Sequence, residues 1–274
     1  MYKYNGLLVY QARDEHGLVE VVEEKGIRSL HFGTLPKQSS MAIAAPNKLE
    51  LSYVRAMTCW QLFKPDLEQE ALLIGLGGGS LTKYLWQHFP NCKFNIIEFR
   101  SAVVKVARSH FGLPIDSRLK IIIDDGGLYI QHRMTSHKAR YELLAIDAFD
   151  EKNIAESVIT EDFFLACRTV LTNNGILVMN LWGGEDNAAF IQCRDWLNDI
   201  FDLRVLFLPV DDRDNVIALA FNQELASYTL EQLYQHAQIL EQQYLIEFTK
   251  FLKDLKKYNI HSFHKLLANT SKNT

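Results

Sequence analysis

Apolar and polar positions change rhythm twice along this chain. Over the first fifty residues, short β-prone runs at 7–9, 18–22 and 28–32 are separated by the turn signals Asp14-Glu15-His16-Gly17 and Glu24-Lys25-Gly26. This spacing predicts a small antiparallel β-unit. Residues 49–63 then read as a helix that ends before Pro65. From residue 71 onward, short apolar runs fall at 71–75, 93–98, 119–123, 141–146, 175–180, 203–208 and 216–221, and helical periodicity lies between them, notably at 80–89, 100–110, 160–171 and 187–200. Such alternation predicts a parallel sheet with helices on both faces. The polar run Asp211-Asp212-Arg213-Asp214-Asn215 suits a closing antiparallel hairpin. Beyond residue 229 an apolar stripe through Leu230, Leu233, Ala237, Leu240, Tyr244, Phe248, Phe251 and Leu255 predicts helix, with Thr229 or Ser227 as its cap. Three units follow: a β-domain over 1–48, an α/β domain over 49–224 and a helical extension over 225–274.

Within the α/β part, the most informative stretch is Ala71-Leu-Leu-Ile-Gly-Leu-Gly-Gly-Gly-Ser80. A buried strand breaks into alternating glycines, and a helix begins near Ser80. Gly75, Gly77 and Gly79 let the backbone turn tightly and approach a ligand. The next strand ends at Glu98, about twenty residues on, where an acid can hold two ribose hydroxyls. A dinucleotide fingerprint requires a third glycine six places after the first. That place is Ser80 here, so the pattern suits S-adenosylmethionine-type ligands better than NAD.

Further acids fall where strands of such a sheet end. Asp125 with Gly126 follows the third strand and could read an adenine amino group. Asp147 and Asp150 follow the fourth, three residues apart, so both can face one cavity. A carboxylate beside an amine nucleophile can accept its proton, and a second can position another amine. Each acid has a competing use as the N-cap of the following helix.

Composition narrows the class. With 274 residues and 48% hydrophobic content the chain is globular. A net charge of -4 gives no global field for nucleic acid, and the lysine-rich tail reads as a solvated helix face. Cys59, Cys92, Cys167 and Cys193 are far apart and lack metal-ligand spacing. Reduced thiols in a cytoplasmic protein, without a metal and without a membrane partner, are the expectation.

Taken in order, several short pieces resemble the spermidine synthase (polyamine aminopropyltransferase) family over roughly residues 7–221. They are Pro36-Lys-Gln-Ser-Ser40, Ser52-Tyr53, Leu73-Ile-Gly-Leu-Gly-Gly-Gly79, Ile97-Glu98, Ile122-Ile-Asp-Asp-Gly126, Tyr141-Glu-Leu-Leu-Ala-Ile-Asp-Ala-Phe-Asp150 and Asn173-Asn-Gly-Ile-Leu177. The resemblance implies a Rossmann-like, methyltransferase-type α/β sheet with a small N-terminal antiparallel β-domain. It implies that Glu98 holds the ribose and Asp125 with Gly126 the adenine of decarboxylated S-adenosylmethionine. Asp147 is then the proton acceptor and Asp150 the polyamine-binding acid, with Gln38 and Tyr53 lining the site. The implied reaction moves an aminopropyl group to an amine such as putrescine, and a homodimer is an allowed assembly.

Some positions depart from the family pattern. Ser80 stands where an Asp usually pairs with the donor ammonium, and Arg100 replaces an acid. Glu151-Lys152-Asn153-Ile154 replaces a Pro-Ile-Gly run, and the tail beyond about residue 225 has no counterpart in the short members. Two other readings therefore stand beside the first: an S-adenosylmethionine-dependent methyltransferase, and a non-catalytic nucleoside-binding relative.

Overall fold

The computed structural model of the chain describes residues 3–149, 154–184, 186–211, 214–223 and 228–266. Four antiparallel strands open it: β1 (Leu7–Asp14), β2 (Gly17–Glu24), β3 (Ile27–His31) and β4 (Ser39–Ala42), paired in that order. Three of them match the predicted runs. β4 is too short and polar to read as a strand and is set by its pairing with β3. The inner face of this sheet, with Val19, Val21, Leu30 and Met41 and the adjoining Phe32, packs on Val103 and Val106 of a helix over 101–110 and on Phe111 just after it.

The helix expected at 49–63 is not continuous. Instead α1 (Ser52–Ala56) is followed by a 3-10 turn at Cys59–Leu62. Thr58 contributes to the break. Both its N–H and its hydroxyl donate to the Arg55 carbonyl, at 3.0 and 2.6 Å, and such local bonding competes with the helical ladder. Met57, Cys59, Trp60 and Leu62 are all fully buried, so surrounding contacts rather than an amphipathic stripe set the path.

The large sheet holds β5 (Glu70–Ile74), β6 (Lys93–Glu98), β7 (Leu119–Ile123), β8 (Tyr141–Ile146), β9 (Leu171–Trp182), β10 (Val205–Pro209) and β11 (Asn215–Phe221). Their order is β10-β11-β9-β8-β5-β6-β7. β5 to β9 are parallel, and β11 pairs antiparallel with both β9 and β10, as the polar run before β11 suggests. Between the strands lie α2 (Ser80–His88), α3 (Ser101–His110), α4 (Gly126–Arg133), α5 (Glu161–Val170) and α6 (Ala188–Ile200). Alternating strand residues feed two cores. Leu73 and Ala145 face one with α2, while Leu72, Ile74 and Ile146 face the other with α4, α5 and α6.

The tail forms α7 (Leu230–Tyr244), α8 (Phe248–Tyr258) and α9 (Ile260–Leu266). Thr229 and Gln232 make a reciprocal capping box. The single apolar stripe is broken by Leu245, which adopts a left-handed φ of 55°, so α8 turns back on α7. Both pack into the core that holds Leu73, and Arg55 of α1 clasps both carboxylate oxygens of Glu247 at 3.0 Å. Asn259 bonds the N–H and the carbonyl of Phe207, each at 2.8 Å, and so covers part of the β10 edge that would otherwise be an unpaired ladder. No helix among the described residues is long and apolar enough to cross a membrane.

Candidate active site

The strand order reverses between β5 and β8, and ligands in open α/β sheets bind at such a switch point. There the end of β5 is stitched to both neighbours: the Asp147 N–H, just past β8, donates to the Ile74 carbonyl at 2.9 Å, and the Gly75 N–H donates to that of Ile97 in β6 at 2.9 Å. A Cβ on Gly75 would lie 2.1 Å from the Asp147 carbonyl oxygen, and its φ is 94°. Glycine is therefore needed here for close approach as well as for turning. Gly77 and Gly79 also have positive φ, at 53° and 75°.

Above this loop opens a cleft of about 1250 Å³. Of the residues singled out in the sequence, Gln38, Tyr53, Gly75, Gly77, Ser80, Glu98, Asp125, Gly126 and Asp147 line it. Gly79 lies just behind, as the N-cap of α2. Asp150 lies outside the described residues.

Glu98 is buried at the end of β6. Its carboxylate accepts the N–H groups of Arg100 at 2.8 Å and Leu76 at 3.0 Å, with a further bond from Gly77. Burial pushes its pKa above the ordinary value despite these donors. Glu98 thus shapes the glycine loop as well as facing the cleft. Asp125 caps α4, its Oδ1 accepting the Leu128 N–H at 2.9 Å. The competing use of that acid is realised while its side of the residue still borders the cleft.

Asp147 sits at the centre of a small polar group. It hydrogen-bonds Tyr53 of α1, and its Oδ1 accepts the Asn180 side-chain amide at 2.9 Å. Asn180 in turn accepts from the Asn215 amide at 2.9 Å. Desolvation raises the Asp147 pKa, and the two hydrogen bonds only partly oppose it. The sequence pattern does not single out Asn180, and it offers Asn215 only as the end of the polar run before β11. Their signal is a lone amide inside the apolar run of β9 and another at the start of β11. Beyond them Phe149 and Trp182 form a tilted aromatic pair with ring centroids 6.5 Å apart, and Asp214 borders the same end of the cleft.

Ser80 contacts the N-terminal sheet: its hydroxyl lies 3.3 Å from that of Ser39 and 3.5 Å from the Ser40 carbonyl. Among the described residues, no group of three or more His, Cys, Asp or Glu side chains is arranged to hold a metal.

A nucleoside-type loop, a buried acid after β6 and a desolvated carboxylate at the switch point meet in one cleft. The family model for the spermine/spermidine synthase domain matches residues 50–185. The polyamine aminopropyltransferase of Neisseria meningitidis serogroup B is 35% identical over 243 residues, covering 88% of this chain and 90% of that protein. The chain belongs to the polyamine aminopropyltransferase family. This is a family of transferases. Two solved structures share the aminopropyltransferase fold. A probable spermidine synthase from Corynebacterium glutamicum has a TM-score of 0.72 and 17% identity, over 84% of this chain and 87% of that one. A spermidine synthase in complex with the transition-state analogue AdoDATO has a TM-score of 0.65 and 18% identity, over 95% and 85%.

Proposed function

We propose that this chain transfers an aminopropyl group from decarboxylated S-adenosylmethionine to a small amine such as putrescine. The observation that carries this reading is Asp147: a desolvated carboxylate held by Tyr53 and Asn180, beside the glycine loop at the switch point. Glu98 and Asp125 with Gly126 take the nucleoside, on the β6–β7 side. The amine enters from the β9–β11 side, past Trp182 and Asp214, with Gln38 and Tyr53 bordering the reacting centre. Asp150 is the second amine-binding acid in this reading.

The reaction is a direct displacement. The amine lone pair forms a bond to the aminopropyl methylene as the carbon–sulfur bond breaks, and that bond's electrons neutralise the sulfonium to a thioether. The proton lost by the amine passes to Asp147. An amine is a good nucleophile only when deprotonated, and a raised carboxylate pKa brings acceptor and donor closer in basicity. Orientation of the two substrates supplies much of the remaining acceleration.

Full S-adenosylmethionine is the donor in a second reading, as a methyltransferase. Ser80 favours it, since no carboxylate stands there to attract a donor ammonium or to repel a donor carboxylate. The test measures methylthioadenosine release from decarboxylated S-adenosylmethionine with putrescine, in parallel with methyl transfer from the full donor. Methylthioadenosine and spermidine in equal amounts are the expected products. Methyl transfer without aminopropyl transfer would reverse the assignment.

A further inference from the structure

Arg100 borders the cleft and has no role in the proposed reaction. It lies two positions after Glu98 and is 8% exposed. Its Nη2 and Nε donate to Oδ1 and Oδ2 of Asp14 at 2.7 and 3.1 Å, and Nη2 also donates to the Gly17 carbonyl at 3.2 Å. The guanidinium rests 4.7 Å from the centre of the Phe32 ring. Its backbone N–H holds Glu98 Oε1. A planar fork bonded to both carboxylate oxygens fixes direction as well as distance.

A second contact joins the same two segments. The ring of His16, in the turn between β1 and β2, lies 4.5 Å from that of Phe99. Phe99 stands between Glu98 and Arg100 and is 54% exposed, and its open side borders the cleft. Asp14, His16 and Gly17 border it too. The turn is therefore tied twice to the two residues that follow Glu98. Arg13 and Glu15 also border the cleft, so what the two ties fix there is an aromatic surface, His16 and Phe99, flanked by charged side chains. An aromatic surface held in place suits the flat face of a purine.

We propose that the β1–β2 turn and Phe99 form the outer wall of the nucleoside subsite, and that Arg100 is the positioning residue that holds this wall against Glu98. The acid that the family pattern places at position 100 could not pair with Asp14, so the wall is particular to chains that carry both residues. The inference rests on the reading that a nucleoside donor occupies the cleft.

Calorimetry with 5′-methylthioadenosine on the full chain tests it, together with donor and amine kinetics. Arg100→Gln and Asp14→Asn are each expected to weaken nucleoside binding by roughly tenfold, the scale of a lost charge-assisted bond. The donor KM should rise while kcat and the amine KM hold. The double variant should be no worse than either single one, because one pair carries the effect. Phe99→Leu should weaken binding without touching the ion pair. It also serves as the test where loss of the pair lowers folding stability, which thermal melts on each variant reveal. Wild-type affinity in folded Asp14→Asn and Phe99→Leu proteins overturns the wall alone. A wild-type protein that binds no nucleoside overturns the donor reading and the wall with it.

Discussion

Asn180 donates its side-chain amide to Asp147 across 2.9 Å, from the strand beside the one that Asp147 ends. That bond favours the ionised carboxylate, whereas burial favours the neutral acid. Replacing Asn180 by Ala removes the donor and leaves the burial. The Asp147 pKa should then move further up, and the acid limb of the kcat/KM profile should move to higher pH. A profile that keeps its acid limb while the rate falls at every pH would show that Asn180 acts in some other way.

Asp147→Asn separates catalysis from stability. Turnover should fall by about 10²–10⁴, the range for loss of a positioned general base, with nucleoside binding nearly unchanged. Thermal stability should move the other way. A carboxyl whose folded pKa lies above its unfolded value favours folding at pH below the unfolded pKa, and this contribution is lost as pH rises through the folded pKa. Ionised Asp147 therefore costs stability at neutral pH, and the Asn variant escapes that cost. Its Tm should exceed that of the wild type near neutrality, and the difference should shrink as the pH falls and Asp147 becomes protonated. Melting curves across pH decide this; a Tm gap that is constant with pH contradicts the linkage.

The junction of β5 and β8 tolerates no side chain at position 75. In Gly75→Ala the new methyl would meet the Asp147 carbonyl oxygen at 2.1 Å, on a backbone with φ of 94°. Strain at such positions is about 1–3 kcal/mol, or a Tm loss of roughly 2–10 °C for a chain of this size. The strand ends must also part, which displaces Asp147 itself. Both nucleoside affinity and kcat should drop. A variant with wild-type Tm and kcat would mean that the junction gives way freely.

How much of this was legible in the sequence follows from which contacts are local. The strands of the large sheet were visible because their apolar runs are bounded by turns. The glycine loop, Glu98 and Asp147 were visible because each follows a strand directly, and the fold brings them to one cleft. Features made by distant pairing were not. β4 exists through β3, and Asn180 meets Asp147 only because β9 lies beside β8. Arg100 departs visibly from the family pattern, but its partner Asp14 lies 86 residues away, on the β-sheet unit that folds over α3. The stripe through α7 and α8 read as one helix because periodicity does not register a single left-handed residue such as Leu245.

Ser80 offers the sharpest test of the donor. It is the first residue of α2, with its hydroxyl 3.3 Å from that of Ser39. A carboxylate there would sit at the positive end of the helix dipole, so Ser80→Asp should fold. It would add one negative charge beside the donor tail. Decarboxylated S-adenosylmethionine ends in an ammonium, and the full molecule carries a carboxylate as well. A unit charge about 4 Å away contributes roughly 1 kcal/mol in water and about 4 at intermediate polarity. The variant should bind the decarboxylated donor more tightly and the full donor more weakly, with opposite signs in paired calorimetric titrations. Aminopropyl transfer should rise at low donor concentration. If both donors shift equally, position 80 does not face the donor tail. In that case the donor preference of this chain is set elsewhere, and Ser80 serves chiefly to join α2 to the N-terminal sheet through Ser39 and Ser40.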